Sequence, residues 1–134
     1  MSVCVLDTDA VIAALDRGDA HHGEAARAVR RMIEDDVAMI VSTVNYAEAL
    51  VRPAEDEQTL RAAVDAIAAL GIKAIPPGAA VARDAARHRA LGISLADGFA
   101  LATARAWSAS LASFDRRVRR AISELGIEAA PGFP

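Results

Sequence analysis

Four short runs of apolar, largely β-branched residues recur along this chain, each parted from the next by segments of helical periodicity, and that alternation narrows the fold more than any other feature. Val3-Cys4-Val5-Leu6 is closed by a polar cluster and reads as a buried strand, after which Val11, Ile12 and Leu15 fall at helical spacing. His21 to Asp36 reads as a second helix with Ala25, Val29, Met32 and Ile33 on its apolar face, followed by a strand from Val37 to Val41. Ser42 or Thr43 is placed to cap the next helix, which stops at Pro53. Leu60, Val64 and Ile67 mark another helix, closed by Gly71 ahead of a third strand, Ile72 to Ile75. Val81, Ala85 and Leu91 line a helix ended by Gly92, and Ser94 opens one that runs to about Trp107. Leu111 to Phe114 is the fourth strand, Asp115 to Leu125 a basic helix, and Ile127 to Ala129 a candidate fifth strand. The expected architecture is a three-layer α/β/α domain built on a mostly parallel sheet of four to five strands, with right-handed crossovers.

A length of 134 residues points to a single domain over 1–134. Although 54% of the residues are hydrophobic, no stretch approaches the roughly 18 uninterrupted apolar residues of a membrane helix. The N-terminal apolar run is too short for a signal peptide and has no basic region before it, so a cytoplasmic protein without membrane contact is expected. Cys4 is the only cysteine, which rules out an internal disulfide and a cysteine-based zinc site. The net charge of −3 argues against a broadly basic nucleic-acid binder. Arginines nevertheless gather at Arg27, Arg30 and Arg31 and again at Arg116, Arg117, Arg119 and Arg120, and a local field depends on nearby charges rather than on the total.

In sheets of this kind ligands bind beyond the carboxyl ends of the strands. Asp7 follows the first expected strand and Asp115 the fourth, and each offers an oxygen ligand suited to a hard cation such as Mg²⁺. Two further acids stand in apolar company. Glu48 falls in a stripe defined by Val44, Ala47 and Val51, and Asp97 opens a helix otherwise made of Leu95, Ala96, Phe99, Ala100 and Ala104. An unpaired carboxylate is costly to bury, so both need an exposed seam or a partner of opposite charge. Four carboxylates brought together repel, by about 4 kcal/mol for a pair ~4 Å apart at an effective dielectric near 20, and a divalent ion turns that repulsion into binding.

The segments VLDTDAVIAAL, STVNYAEAL, GISLADGFALATA and LASFDRRVRR resemble, in order and spacing, the motif blocks of PIN-domain proteins, and among those most closely the VapC toxins of bacterial toxin-antitoxin pairs. The resemblance covers essentially the whole chain. It implies an endoribonuclease that uses Mg²⁺ or Mn²⁺, as one or two ions, forms a homodimer and is inhibited by a cognate antitoxin on a separate chain. Asp7, Glu48, Asp97 and Asp115 would then be the acidic metal-site and catalytic residues. Asp7, Asp97 and Asp115 would ligate directly, with Glu48 acting through water or at a second ion. Ser113 matches the small hydroxyl residue that often precedes the last acid by two, and would orient an acid by hydrogen bond. Family members commonly carry Ser, Asn or Thr two residues after the first acid, where this chain has Asp9; that extra acid either joins the metal site or caps the first helix.

Each acid also has a purely structural explanation. Asp7, Thr8 and Asp9 precede a helix and can cap it. Ser94 and Asp97 fit a capping box, Glu48 can pair with Arg52 one turn on, and Asp115 can start the last helix. Arg116 and Arg117, beside Asp115, are candidates for RNA contact or a solvated face. Two other functions fit parts of the sequence. Asp7-Thr8-Asp9-Ala10-Val11 matches the pattern at which haloacid-dehalogenase-like phosphatases form an aspartyl phosphate, but the only lysine, Lys73, falls in the third expected strand, the chain is short for such an enzyme, and Glu48 would have no purpose in it. A non-catalytic PIN-fold binding module would keep the fold without the chemistry.

Overall fold

The computed structural model describes residues 2–133. Strand β1 (Val3–Leu6) leads directly into α1 (Thr8–Leu15), followed by α2 (His22–Glu34) and β2 (Ala38–Ser42). Next come α3 (Thr43–Ala49), α4 (Glu57–Ala69) and β3 (Ile72–Ile75). Then α5 (Ala79–His88), α6 (Leu95–Ala106), β4 (Ser110–Ala112) and α7 (Arg116–Leu125) complete the order. The four strands pair in parallel in the order β3-β2-β1-β4. The chain therefore adds strands on one side of β1 and then crosses to its other side, which puts the topological switch point between β1 and β4, the place where ligands bind in sheets of this kind.

Side chains alternate across the sheet and divide the core in two. Cys4, Leu6, Met39, Val41 and Ala112 face α1 and α2, meeting Val11, Val29 and Met32. Val5, Ile40 and Leu111 face the other way and meet Leu101 and Ala104 of α6 and Val118 and Ile122 of α7. This is the expected three-layer arrangement. Burial raises the thiol of Cys4 to about 11, above the range in which it would be reactive, as fits a strand residue with no solvent access. Among the described residues no helix is long and apolar enough to cross a membrane.

Four local expectations are corrected. The segment after β2 stays α-helical only to Ala49, because Pro53 cannot continue a helix and instead opens a 3-10 turn, Pro53–Glu55. Its proposed apolar stripe is not buried either: Ala47 is exposed and Val51 is 64% exposed, while Asn45 and Ala49 face inward. The fourth strand ends at Ala112 rather than Phe114, since the backbone N–H of Phe114 bonds to the Asp9 carboxylate and not to a neighbouring strand. The expected fifth strand is reduced to one parallel bridge, Leu111 to Ala129, and Pro131 denies the segment a further ladder donor.

Helix α5 lies outside the sheet layers and packs on α6, with Gly98 against the backbone of Ala85. A β-carbon at Gly98 would stand 2.8 Å from the Ala85 carbonyl oxygen, closer than any normal contact. Gly98→Ala is thus expected to destabilise the chain by about 1–3 kcal/mol through overpacking, measured by urea unfolding. Where a helical glycine faces open space, the same change stabilises by roughly 1 kcal/mol, so a gain in stability would refute the close approach.

Candidate active site

Asp7 is the first residue beyond β1, and its N–H donates to the Ala112 carbonyl at 2.9 Å, so the backbone is held to β4 up to the point where the side chain leaves it. The residue is 1% exposed. Its carboxylate caps α1, accepting from the Thr8 N–H at 2.9 Å, while the Ser113 hydroxyl donates to the other oxygen at 2.8 Å. Ser113 Oγ in turn accepts the Asp115 N–H at 3.1 Å. One short chain of hydrogen bonds therefore runs from the backbone of Asp115 through Ser113 to Asp7, joining the ends of β4 and β1.

Asp115 caps α7, one oxygen accepting from the Arg117 N–H at 2.8 Å and the Val118 N–H at 3.1 Å. Asp97 lies in the first turn of α6, its N–H bonded to the Ser94 hydroxyl at 3.1 Å. Asp7 and Asp115 are helix caps and members of the acid group at once, whereas Asp97 stands inside the first turn of a helix that Ser94 caps. Asp9 differs from its expected capping role: Asp7 holds the cap position, and both oxygens of Asp9 accept from the Phe114 N–H at 3.1–3.2 Å. Glu48 is exposed on α3, and among the described residues it has no ion pair with Arg52.

The acids lie close enough to share one electrostatic field. Burial, and then the charges of Asp97 and Asp9, raise Asp7 well above the ordinary carboxylate range, against hydrogen bonds from Ser113 and Thr8 that lower it. Asp9 is raised to about 6 by burial, with Asp115 and Asp97 adding to the effect and the Phe114 N–H opposing it. Asp97 is raised by burial first and by Asp115 and Glu48, while hydrogen bonds with Ser94 and Asp7 lower it. The fold thus brings Asp7, Asp9, Glu48, Asp97 and Asp115, which are remote in sequence, within electrostatic reach of one another. Among the described residues none of the five has a basic side chain within 4.0 Å; the ion pairs gather instead on Glu24 and Asp84.

Whether the residues suit a divalent cation turns on donor chemistry and charge. The donors are all carboxylate oxygens, they are partly buried, and their negative charge has no basic counterpart, which matches a hard cation such as Mg²⁺ or Mn²⁺. Among the described residues no three of them close on a single point at ligand distance. The chemistry fits, therefore, while the side chains do not by themselves form a closed cage.

Two features were not legible as site residues. Asn45, fully buried on α3, donates from its side-chain amide to Thr8 Oγ1 at 3.1 Å and to the Ala96 carbonyl at 2.9 Å, with Asp7 Oδ1 at 3.5 Å. The available signal was an amide inside a helix one turn before Glu48, at a place where Asn is disfavoured unless its side chain is used. His21, read from the sequence only as the start of a helix, stacks on Phe114 with ring centroids 4.2 Å apart and planes 8° apart. Of the candidate RNA contacts, Arg116 and Arg117 are exposed, and Arg117 reaches toward the Gly92 carbonyl at 3.5 Å.

The family model described as the PIN domain matches residues 4–123. Among solved structures, VapBC2 from Rickettsia felis, bound to a DNA fragment from its promoter, superposes with a TM-score of 0.71 at 14% identity, covering 98% of this chain and 95% of that one. Mycobacterium tuberculosis VapC20, described as a sarcin-ricin loop cleaving toxin, gives 0.68 at 19% identity, with 88% and 94% covered. A toxin-antitoxin complex from Klebsiella pneumoniae gives 0.68 at 20% identity, with 98% and 95% covered. At these identities the likeness is one of fold. No curated protein matches the chain by sequence.

The shared field has a consequence for stability. Asp9 keeps its proton up to about pH 6 when folded, but only to its ordinary value of 3.8 when unfolded, so between those limits the folded chain binds more protons. Metal-free stability from this group therefore falls as pH rises from about 4 to about 6 and stays low above that, by at most about 3 kcal/mol, with Asp7 acting in the same direction. Urea unfolding in EDTA across this range, for the wild type and Asp9→Asn, isolates the effect from the other carboxylates. Parallel pH profiles for the two proteins would contradict it.

Proposed function

This chain belongs to the PIN domain family, and from that premise we propose that it is a metal-dependent endoribonuclease, the VapC-type toxin of a toxin-antitoxin pair. The observation that carries the reading is the group of partly buried, uncompensated carboxylates at the switch point between β1 and β4. Likeness in fold to VapC20, described as a sarcin-ricin loop cleaving toxin, and to toxin-antitoxin complexes supports the choice of RNA as substrate and of an antitoxin as partner.

Asp7, Asp97 and Asp115 are the residues proposed to hold Mg²⁺ or Mn²⁺, as one or two ions, with Glu48 at the open side and Asp9 contributing charge. The cation, when bound, supplies a Lewis acid for the phosphate and lowers the pKa of water. Ser113 holds one oxygen of the Asp7 carboxylate in place through its hydroxyl bond. The exposed guanidinium groups of Arg116 and Arg117 are placed to attract the RNA backbone beside Asp115. Water, rather than the RNA's own 2′-hydroxyl, attacks the phosphorus, so the products carry 5′-phosphate and 3′-hydroxyl ends.

An antitoxin that inserts a basic side chain among the acids would neutralise the same charge. An apolar groove lined by Ile12, Leu15, Ala49, Val51, Pro53 and Ala66 runs beside Glu48 and supports contact with a second polypeptide, whether antitoxin or a second copy of this chain. The phosphatase alternative loses support, because Lys73, its only lysine, is exposed on the edge strand β3, two strands away from Asp7. The non-catalytic alternative stays open to the following test.

Purified chain is incubated with structured RNA in Mg²⁺, Mn²⁺ or EDTA, beside Asp7→Asn. Cleavage that requires the ion and falls by at least about 100-fold in the variant supports the reading, on the scale expected for loss of a group acting in the transition state. Products ending in 2′,3′-cyclic phosphate would exclude hydrolysis by water. Phosphate release from a small ester would favour the phosphatase, and an inert but RNA-binding chain the non-catalytic module.

A further inference from the structure

Asn45 lies at the junction of three elements that carry acids. It sits on α3, about one turn before Glu48, with its side chain turned inward while Glu48 is exposed. Its amide nitrogen reaches Thr8 and Asp7 at the start of α1, and the Ala96 carbonyl one residue before Asp97 on α6. The orientation of the amide is fixed by its surroundings. Turned over, its oxygen would face the Ala96 carbonyl, which cannot donate, at its shortest contact, and the Ala96 carbonyl would lose its donor.

The residue is completely buried, and among the described residues its Oδ1 has no hydrogen-bond partner. An amide kept only to fill space would be a poor choice there, because an apolar residue would fill it without a stranded acceptor. What Asn adds over an apolar residue is the pair of N–H donors. Asp at this position would have similar shape but would bring another negative charge beside Asp7 and could donate nothing when ionised. The two donors clamp the start of α1 to the start of α6, the two places from which Asp7 and Asp97 project.

We propose that Asn45 is a positioning residue that fixes the separation of Asp7 and Asp97 and so makes the site selective for small divalent cations over larger ones. The proposal rests on the metal-dependent reading given above. Mg²⁺-sized ions demand short, regular oxygen coordination, whereas Ca²⁺ accepts longer and more variable distances. A clamp that holds two carboxylates at one spacing favours the demanding ion, and a loosened pair loses that preference.

The test is binding of Mn²⁺ alone to the full chain, followed by electron paramagnetic resonance, with Ca²⁺ affinity obtained by competition. Asn45→Ala is expected to weaken Mn²⁺ binding by about tenfold, the scale seen when residues behind metal ligands are removed, and to weaken Ca²⁺ binding much less, so that the ratio of the two narrows. Asn45→Ser, which keeps one donor on a shorter side chain, is expected to recover part of the ratio and serves if the Ala variant does not fold. A lowered melting temperature with an unchanged Mn²⁺ to Ca²⁺ ratio would show that Asn45 only supports the fold, and would overturn the proposal while leaving the nuclease reading intact. Wild-type chain that binds no Mn²⁺ would overturn the metal-dependent reading, and this proposal with it.

Discussion

A carboxylate sealed at the end of the central strand, with other carboxylates as its nearest charges, sets the terms for everything around it. Asp7 is held there because its own backbone continues the pairing of β1 with β4, so the side chain has no freedom to swing into solvent. Two charges ~4 Å apart repel by about 4 kcal/mol at an effective dielectric near 20. The fold offsets part of this with neutral donors: the Thr8 N–H, the Ser113 hydroxyl and the Asn45 amide. It supplies no basic side chain close by among the described residues. A divalent cation is the compensation proposed for such an arrangement.

Helix ends contribute the rest of the compensation. Asp7, Asp97 and Asp115 stand at or in the first turn of α1, α6 and α7, where the partial positive charge of the helix favours an anion. The structural and chemical explanations of these acids were set against each other as alternatives on the sequence, but the geometry makes them complementary. At Asp7 and Asp115 backbone donors fix the carboxylate that caps the helix, and a fixed carboxylate suits the small cation proposed for the site. The same logic reaches further out. Gly98 lets α6 lie against Ala85, and that close packing sets where the first turn of α6, with Asp97, meets the end of β1.

The sequence was most legible where one physical rule dominated. Apolar runs located the four strands, and the rule that ligands bind beyond parallel strand ends drew attention to Asp7 and Asp115. It was least legible where two segments remote in the chain compete for one hydrogen bond. The early end of β4 depends on Asp9 capturing the Phe114 N–H, a contact across 105 residues that no local pattern encodes. Asn45 was passed over for a similar reason: its three acceptors come from α1 and α6, so a single buried amide in a helix gives no sign of them. Periodicity misled at Ala47 and Val51, where a regular spacing suggested burial on a helix too short to bury them.

The charge distribution bears on how a nucleic acid would approach. A chain of net charge −3 repels RNA at long range, and the acids at the switch point repel a phosphate most strongly of all. The exposed arginines of α7 begin directly after Asp115, so attraction and repulsion meet within one helical turn. Such a boundary would orient a polyanion, drawing its backbone along the basic rim while the acids hold its phosphates off. Binding and hydrolysis would then respond to different groups: salt screens the rim, whereas the acid centre answers to divalent ions.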